Sequence, residues 1–543
     1  MDLILFNGII KTMNRSQPDA EAVAIRGGLV AAVGDNQSIL AMKTDQTRMV
    51  DLKRQLVLPG FIDAHLHLTT FGVSLQECDL HGSKSAEELI ARTRQFISEK
   101  KVPDEQWVIG KRWHQDYFDV KVLPTRQQLD RISTRHPVCL MTAGMHALVV
   151  NTKAIERAGL DASSKQVEGG HFETEPDGYP NGIFKESAMN LIYRKLPPKS
   201  LEDIKTYIRD ACAYASRCGI TSVQTDDLRL PGAKFGDIIE AYKELHKYGE
   251  IHVRIYEQCN LPDREILREF LEQGYRTGVG DSRFKIGPYK VLSDGAIGVR
   301  TAALAAPYAD DPNNCGIPIY TQEELDELLC YTHESGMQIA VHCIGDKASH
   351  MTLDAFEKAL AKKPRPDHRH TIIHCQILDD QLVERFRDMG IIASVQPGFL
   401  NYDLHVAEGL VGQERIRTSY NWRTLLDQGI AVAFGSDSPV EPMDVLPGIH
   451  CAVNRQDFEG IPAGGWHPEE AVSVEEAVYA FTKGAAYGSF EENLKGSLEP
   501  GLYADLVVLD QNLFAIAPTE IRNVKPVMTV MNGEIVWQAD TWF

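Results

Sequence analysis

The feature that most constrains this chain is a repeated pairing: short apolar runs of strand type, several of them ending in a side chain able to bind a metal, alternate with amphipathic helical stretches. QIAVHCIGD carries His342, HTIIHCQI carries His374, IAVAFGSDSP leads to Asp437, and GPYKVLSDG contains Lys290 and Asp294. Stretches such as LEDIKTYIRDACAYASRCG and EELDELLCYTHESG, with apolar residues three and four apart, read as helices between such runs. That alternation predicts a parallel sheet of βα units. In a (β/α)8 barrel the C-terminal ends of the strands converge on one mouth, so residues far apart in the chain can meet there.

Upstream, LPGFIDAHLHL places His65 and His67 two residues apart after a Pro-Gly break. Strand alternation puts both imidazoles on one face, within reach of one ion. With 18 histidines in 543 residues the pair is weak evidence alone, since roughly half an HxH pair is expected by chance. His368 and His370 form a second one. Four further run-ends behind the first pair are what give it weight.

Both chain ends are rich in strand formers. The opening segment reads as an antiparallel meander, and the closing segment contains Asn532-Gly533, a hairpin turn signal. Residues 1–56 and 490–543 are therefore expected to form one composite β-sandwich domain, with the barrel over 57–489. His67 and Lys290 lie much farther apart than βα units of about 30 residues allow. An inserted α/β module at about 75–196, over the barrel mouth, accounts for the excess. The expected fold is thus α/β: a (β/α)8 TIM-like barrel with a small β-sandwich and an inserted module.

Composition narrows the partners. A formal net charge of −20 repels phosphate backbones, so nucleic acid is not an expected partner. No apolar segment is long enough to span a bilayer, and the N-terminus lacks a basic leader and a cleavage site of small residues. The ten cysteines have no CxxC spacing, which favours reduced thiols in the cytoplasm. A small-molecule substrate is the expected partner, with a homodimer open as the assembly.

The order HxH, Lys, His, His, Asp resembles that of the amidohydrolase superfamily of metal-dependent hydrolases. PGFIDAHLH, KVLSDGAIGVRTAAL, VHCIGDKA, GSDSPVEP and GSLEPGLYADLVVLD look more narrowly like its YtcJ-like branch, which includes N-substituted formamide deformylases. The resemblance covers nearly the whole chain. It implies His65, His67, Lys290, His342, His374 and Asp437 as metal ligands, with Asp437 and Lys290 catalytic. It implies two divalent ions, zinc being the first choice, bridged by a Lys290 that has taken up CO2 to become a carbamate. If Lys290 instead pairs with Asp294, the site holds one metal. Asp437 would move the proton during attack of a metal-activated hydroxide on the C–N bond of an amide-like substrate; its plainer role is an N-cap in the Ser-Asp-Ser-Pro turn. A mononuclear deaminase, a cyclic-amide hydrolase and an inactive barrel scaffold are the competing readings.

Other positions carry less. Arg300 and Thr301, after the fourth-strand motif, could contact substrate or brace a loop. His146 matches a stretch of the family in the inserted module and is a candidate substrate contact. Trp113 and Phe184 could form apolar wall or core. Asp346 reads as a loop brace. His171, His368 and His370 have polar sequence surroundings that read as solvated, and Cys343 and Cys375 read as packing.

Overall fold

The computed structural model describes residues 1–143 and 146–542. Eight strands form one parallel sheet: β1 (Phe61–Leu66), β2 (Ile220–Thr225), β3 (Arg254–Asn260), β4 (Phe284–Leu292), β5 (Ile339–Cys343), β6 (Thr371–His374), β7 (Ile392–Val395) and β8 (Val432–Phe434). They neighbour one another in chain order. Every residue of β1, β2 and β3 is buried, the signature of strands covered on both faces.

The helices between them follow from the pattern of the sequence. Helix Leu201–Arg217 buries Ile204, Ile208, Ala211, Cys212 and Ala215, one stripe at helical spacing. Helix Gln322–Glu334 starts at a capping box, in which the Thr321 hydroxyl accepts from the Glu324 N–H and the Glu324 carboxylate accepts from the Thr321 N–H.

The ring of strands closes at the residues of interest. The Asp437 N–H donates to the His65 carbonyl at 2.7 Å, and the His67 N–H donates to the Ser438 carbonyl at 2.8 Å. Asp63 reinforces this seam: its Oδ1 accepts from the His65 N–H at 3.1 Å and the Ser436 N–H at 3.0 Å. A carboxylate thus holds together the two chain segments that carry His65 and Asp437.

Both chain ends contribute to two packed sheets. One has the order Leu29–Gly34, Ala22–Arg26, Leu3–Phe6, Arg48–Asp51; the other runs Glu534–Gln538, Pro526–Met531, Leu506–Leu509, Leu56–Pro59, Ile9–Lys11, Asp19–Ala20. Leu5, Ile10, Val23, Val57, Leu506 and Val530 share one core. The opening segment is not the antiparallel meander expected of it. Leu3–Phe6 pairs antiparallel with Ala22–Arg26 but parallel with Arg48–Asp51, because helix Asn36–Leu40 intervenes and returns the chain in the same direction. The Asn532-Gly533 signal does make a two-residue hairpin turn, with φ of 54° and 77°.

Residues Gly72–Asp203 form a second compact unit, built on a mixed six-stranded sheet. Its core includes Trp113, Phe118, Leu140 and Val149.

Candidate metal centre

Each ligand candidate sits at or beyond the C-terminal end of a barrel strand: His65 and His67 at β1, Lys290 near the end of β4, His342 on β5, His374 closing β6, and Asp437 just after β8. His374 and Asp437 have φ of 82° and 57°, in the left-handed region that non-glycine residues avoid. Such strain, about 1 to 3 kcal/mol per residue, persists where the surrounding structure over-determines it. Here the hydrogen bonds of the seam hold Asp437 in place.

The side chains converge. Asp437 Oδ1 lies 3.1 Å from His67 Nε2 and 3.4 Å from His65 Nε2. Ligand atoms of His65, His67 and Asp437 all fall within 4.8 Å of one another. The rings of His65 and His374 have centroids 5.6 Å apart, and those of His342 and His374 lie 4.3 Å apart. Lys290 Nζ reaches to 3.3 Å from His65 Nε2.

The hydrogen bonds on the far side of each imidazole decide which nitrogen is left for an ion. His65 Nδ1 donates to Gln258 Oε1 at 2.7 Å, and Gln258 is oriented by its own Nε2 donating to the Ala64 carbonyl. His67 Nδ1 donates to the Asp226 carbonyl at 3.0 Å, and His374 Nδ1 to Gln396 Oε1 at 2.8 Å. In the neutral form all three keep the Nε2 lone pair. His342 is reversed: Nε2 donates to the Gly295 carbonyl at 3.2 Å, so Nδ1 is its ligand atom. This outer-sphere fixing of tautomer is what a metal-binding imidazole needs.

The electrostatics agree with a cation site. Burial pushes His65 and His374 well below the usual histidine range and His342 down to about 4, favouring the neutral, ligating form. At His67 burial acts the same way, but the Asp437 and Asp226 carboxylates outweigh it and raise the imidazolium to about 9. An ion would displace that proton. Asp437 Oδ1 is buried and, apart from its ion pair with His67, has no hydrogen-bond partner among the described residues, an under-used acceptor of the kind expected where a cation belongs. The donor set therefore fits a divalent metal.

Several residues singled out in the sequence have contacts of their own. Asp294 is not a partner for Lys290: its oxygens accept from the backbone N–H groups of Ile344, Gly345 and Ala303. Asp437 does not cap a helix, because the next helix begins at Val445 with Asp444 at its N-cap position. Asp346 braces the loop after β4 by accepting from the Ala305 N–H at 2.8 Å. Thr301 Oγ1 accepts from the Ala296 N–H, and the exposed Arg300 pairs with Asp310, contacts made within their own loop. Cys343 and Cys375 are buried as packing residues.

In the other compact unit, Trp113 and Phe184 are core residues, Trp113 stacking on Phe118, while the exposed His146 pairs with Glu186. His368 and His370 are buried, contrary to their solvated appearance in sequence. His370 Nδ1 accepts from the Ile339 N–H while His370 Nε2 donates to His333 Nδ1 at 2.9 Å, and His368 Nε2 donates to the Met389 carbonyl. Polar neighbours in the chain mislead there, because the two residues lead into β6, where the floor of the barrel covers them.

Sequence reasoning missed Asp226, Asn260, Gln258 and Gln396. Asp226, in contact with His67 and held by the Asn260 amide at 3.1 Å, follows β2 directly, and Asn260 ends β3, so the run-end rule would have found both. The two glutamines carry no such signal.

The sequence profile of the Amidohydrolase family matches residues 48–537. The chain belongs to the amidohydrolase family. The amidohydrolase is similar over its whole length to the "Putative amidohydrolase YtcJ" of Bacillus subtilis (strain 168), with 31% identity over 99% of this chain and 100% of the relative. The "N-substituted formamide deformylase" of Arthrobacter pascens is 25% identical over 99% and 98% of the two chains. An uncharacterized metal-dependent hydrolase from Pyrococcus horikoshii OT3 superposes with a TM-score of 0.77 at 28% identity, over 95% of this amidohydrolase and 99% of that structure.

Proposed function

We propose that this amidohydrolase cleaves the C–N bond of an amide-like small molecule, with an N-substituted formamide as the nearest named substrate class among its relatives. One observation carries the reading: four imidazoles, each with its outer nitrogen hydrogen bonded, converge with Asp437 at one mouth while Lys290 is buried behind them. Bound divalent cations, zinc being the first choice for these donors, supply Lewis-acid activation of water and of the substrate carbonyl.

The chain's own residues do the rest. Asp437 Oδ1 takes the proton of the attacking water and returns it to the leaving nitrogen, so the amine departs neutral. Gln258, Gln396 and the Asp226 and Gly295 carbonyls keep the imidazole lone pairs directed inward. Lys290 forms no ion pair among the described residues, and burial pushes its amine below the usual lysine range. As an ammonium it would direct a proton at His65 Nε2, in competition with a cation; as a neutral amine it can add CO2, lose a proton and become an anionic carbamate able to bridge two ions.

The test is a substrate screen on metal-stripped protein reloaded with Zn²⁺, Mn²⁺ or Co²⁺. Turnover of N-formyl or N-acyl amines with about two ions per chain is expected. Ammonia release from aminated heterocycles with one ion per chain would replace the proposal with a deaminase. Activity that persists after verified metal loss would overturn metal chemistry altogether.

A further inference from the structure

We infer that the amidohydrolase has a second ligand site, for a small multivalent oxyanion, beneath the floor of the barrel. The metal ligands occupy strand ends; this site is built from strand starts. A cavity of about 600 Å³ is lined there by Tyr256 of β3, Lys285 of β4, Gln338 before β5, and Lys363, Arg365 and Asp367 before β6. That volume is ordinary for a small-molecule pocket. The Tyr256 hydroxyl donates to Gln338 Oε1 at 2.8 Å, and Gln338 Nε2 donates to the carbonyls of Arg369 and Gly488, so the roof is rigid and its polar groups are spent.

The cations are not spent. Arg365 donates only to the main-chain carbonyls of Met337 and His333, at 2.9 and 2.6 Å, and Lys363 Nζ only to the Glu334 carbonyl at 2.7 Å. Neither forms an ion pair among the described residues. Glu334's carboxylate is taken by Lys362, and the acid in the lining, Asp367, gives both oxygens to Arg369. Lys285 pairs with Glu491 and retains two further N–H donors.

A guanidinium with five donors and an ammonium with three therefore keep hydrogen-bonding capacity beyond these contacts, and both line the cavity, in a protein whose net charge is −20. Arg365, a partly buried cation without a counter-ion, is costly to keep, and a bound oxyanion gains charge-assisted hydrogen bonds from it and from the exposed Lys363. Phosphate esters and dicarboxylates share the required chemistry.

The experiment is calorimetric titration of the metal-loaded full-length enzyme with inorganic phosphate and, separately, succinate, at ionic strength held constant with NaCl. Saturable binding with Kd below about 10 mM is expected for at least one, and the better of the two identifies the oxyanion class. Lys363→Gln and Arg365→Gln should each weaken it about tenfold. The exposed Lys363 keeps the test usable if Arg365→Gln fails to fold. No saturable binding of either anion overturns the proposal. So does unchanged affinity in Lys363→Gln, which would place the anion elsewhere, including on the metals.

Discussion

At the residue scale, Lys290 and Asp437 approach the same centre but are asked to do different things. If Lys290 supplies the bridging anion, Lys290→Ala leaves two cations repelling each other with less ligand charge, and metal content and activity should fall together. Asp437→Asn keeps an oxygen ligand but no proton acceptor. It should retain much of its metal while losing about 10²-fold or more in kcat. Metal per chain and kcat, measured for both under one metal supply, separate the roles. Full two-metal occupancy in Lys290→Ala would exclude the bridge, and near-native kcat in Asp437→Asn would exclude the proton transfer. Gln258 is the third test. Its amide oxygen fixes the His65 tautomer, so Gln258→Leu should weaken metal affinity about 10- to 100-fold with little change in the fold. Metal titration followed by circular dichroism checks both halves of that statement.

At the scale of elements, the barrel is most sensitive where β8 returns to β1. A Cβ on Gly435 would lie 2.5 Å from the His65 backbone nitrogen and 2.8 Å from Asp63 Oδ1, so no side chain fits without parting the seam. Gly435→Ala should cost about 1 to 3 kcal/mol and lower metal affinity as well, because His65 and Asp437 are positioned by the contacts it breaks. Gly236 is the control. It lies within helix Phe235–Lys247 with open space around its Cβ position, so Gly236→Ala should be neutral or stabilising by up to about 1 kcal/mol. Thermal melts and metal content should move together for the first variant, and neither should fall for the second.

At the scale of the whole molecule, buried charges tie the barrel to the chain's C-terminal segment. Arg254 of β3 pairs with Asp505 and lies 3.8 Å over the Tyr503 ring, and Glu491 sits between Lys285 of β4 and Lys495. At Glu491 burial would raise the carboxyl, but the two lysines outweigh it and hold it down at about 2. A folded value below the unfolded one, about 4.3, means that the pairing stabilises above that unfolded value and is lost as pH falls towards 2. Glu491→Gln removes the anion and leaves two cations, a loss of about 3 to 5 kcal/mol near neutrality. The gap in Tm between wild type and variant should therefore narrow between about pH 4.5 and pH 2. A gap that stays constant over that range would rule out Glu491 as the titrating group. Among the described residues no helix is long and apolar enough to cross a membrane.

The local code of the chain was enough to point to the barrel strands behind His65, Lys290, His342, His374 and Asp437 and to helices such as Leu201–Arg217 and Gln322–Glu334, because apolar periodicity and capping act over a few residues. His65, His67, Lys290, His342, His374 and Asp437 could be found that way, and Asp226 and Asn260 follow the same rule. Tertiary structure alone decided the rest. Which imidazole nitrogen faces inward depends on acceptors as distant as Gln258, and Asp63 became the clasp of the barrel only when β8 closed beside β1. His368 and His370 look solvated beside Arg365 and Asp367 in the chain and are buried in the fold. Short-range pattern reports a residue's neighbours along the backbone; tautomer, burial and closure are set by neighbours in space, which that pattern does not contain.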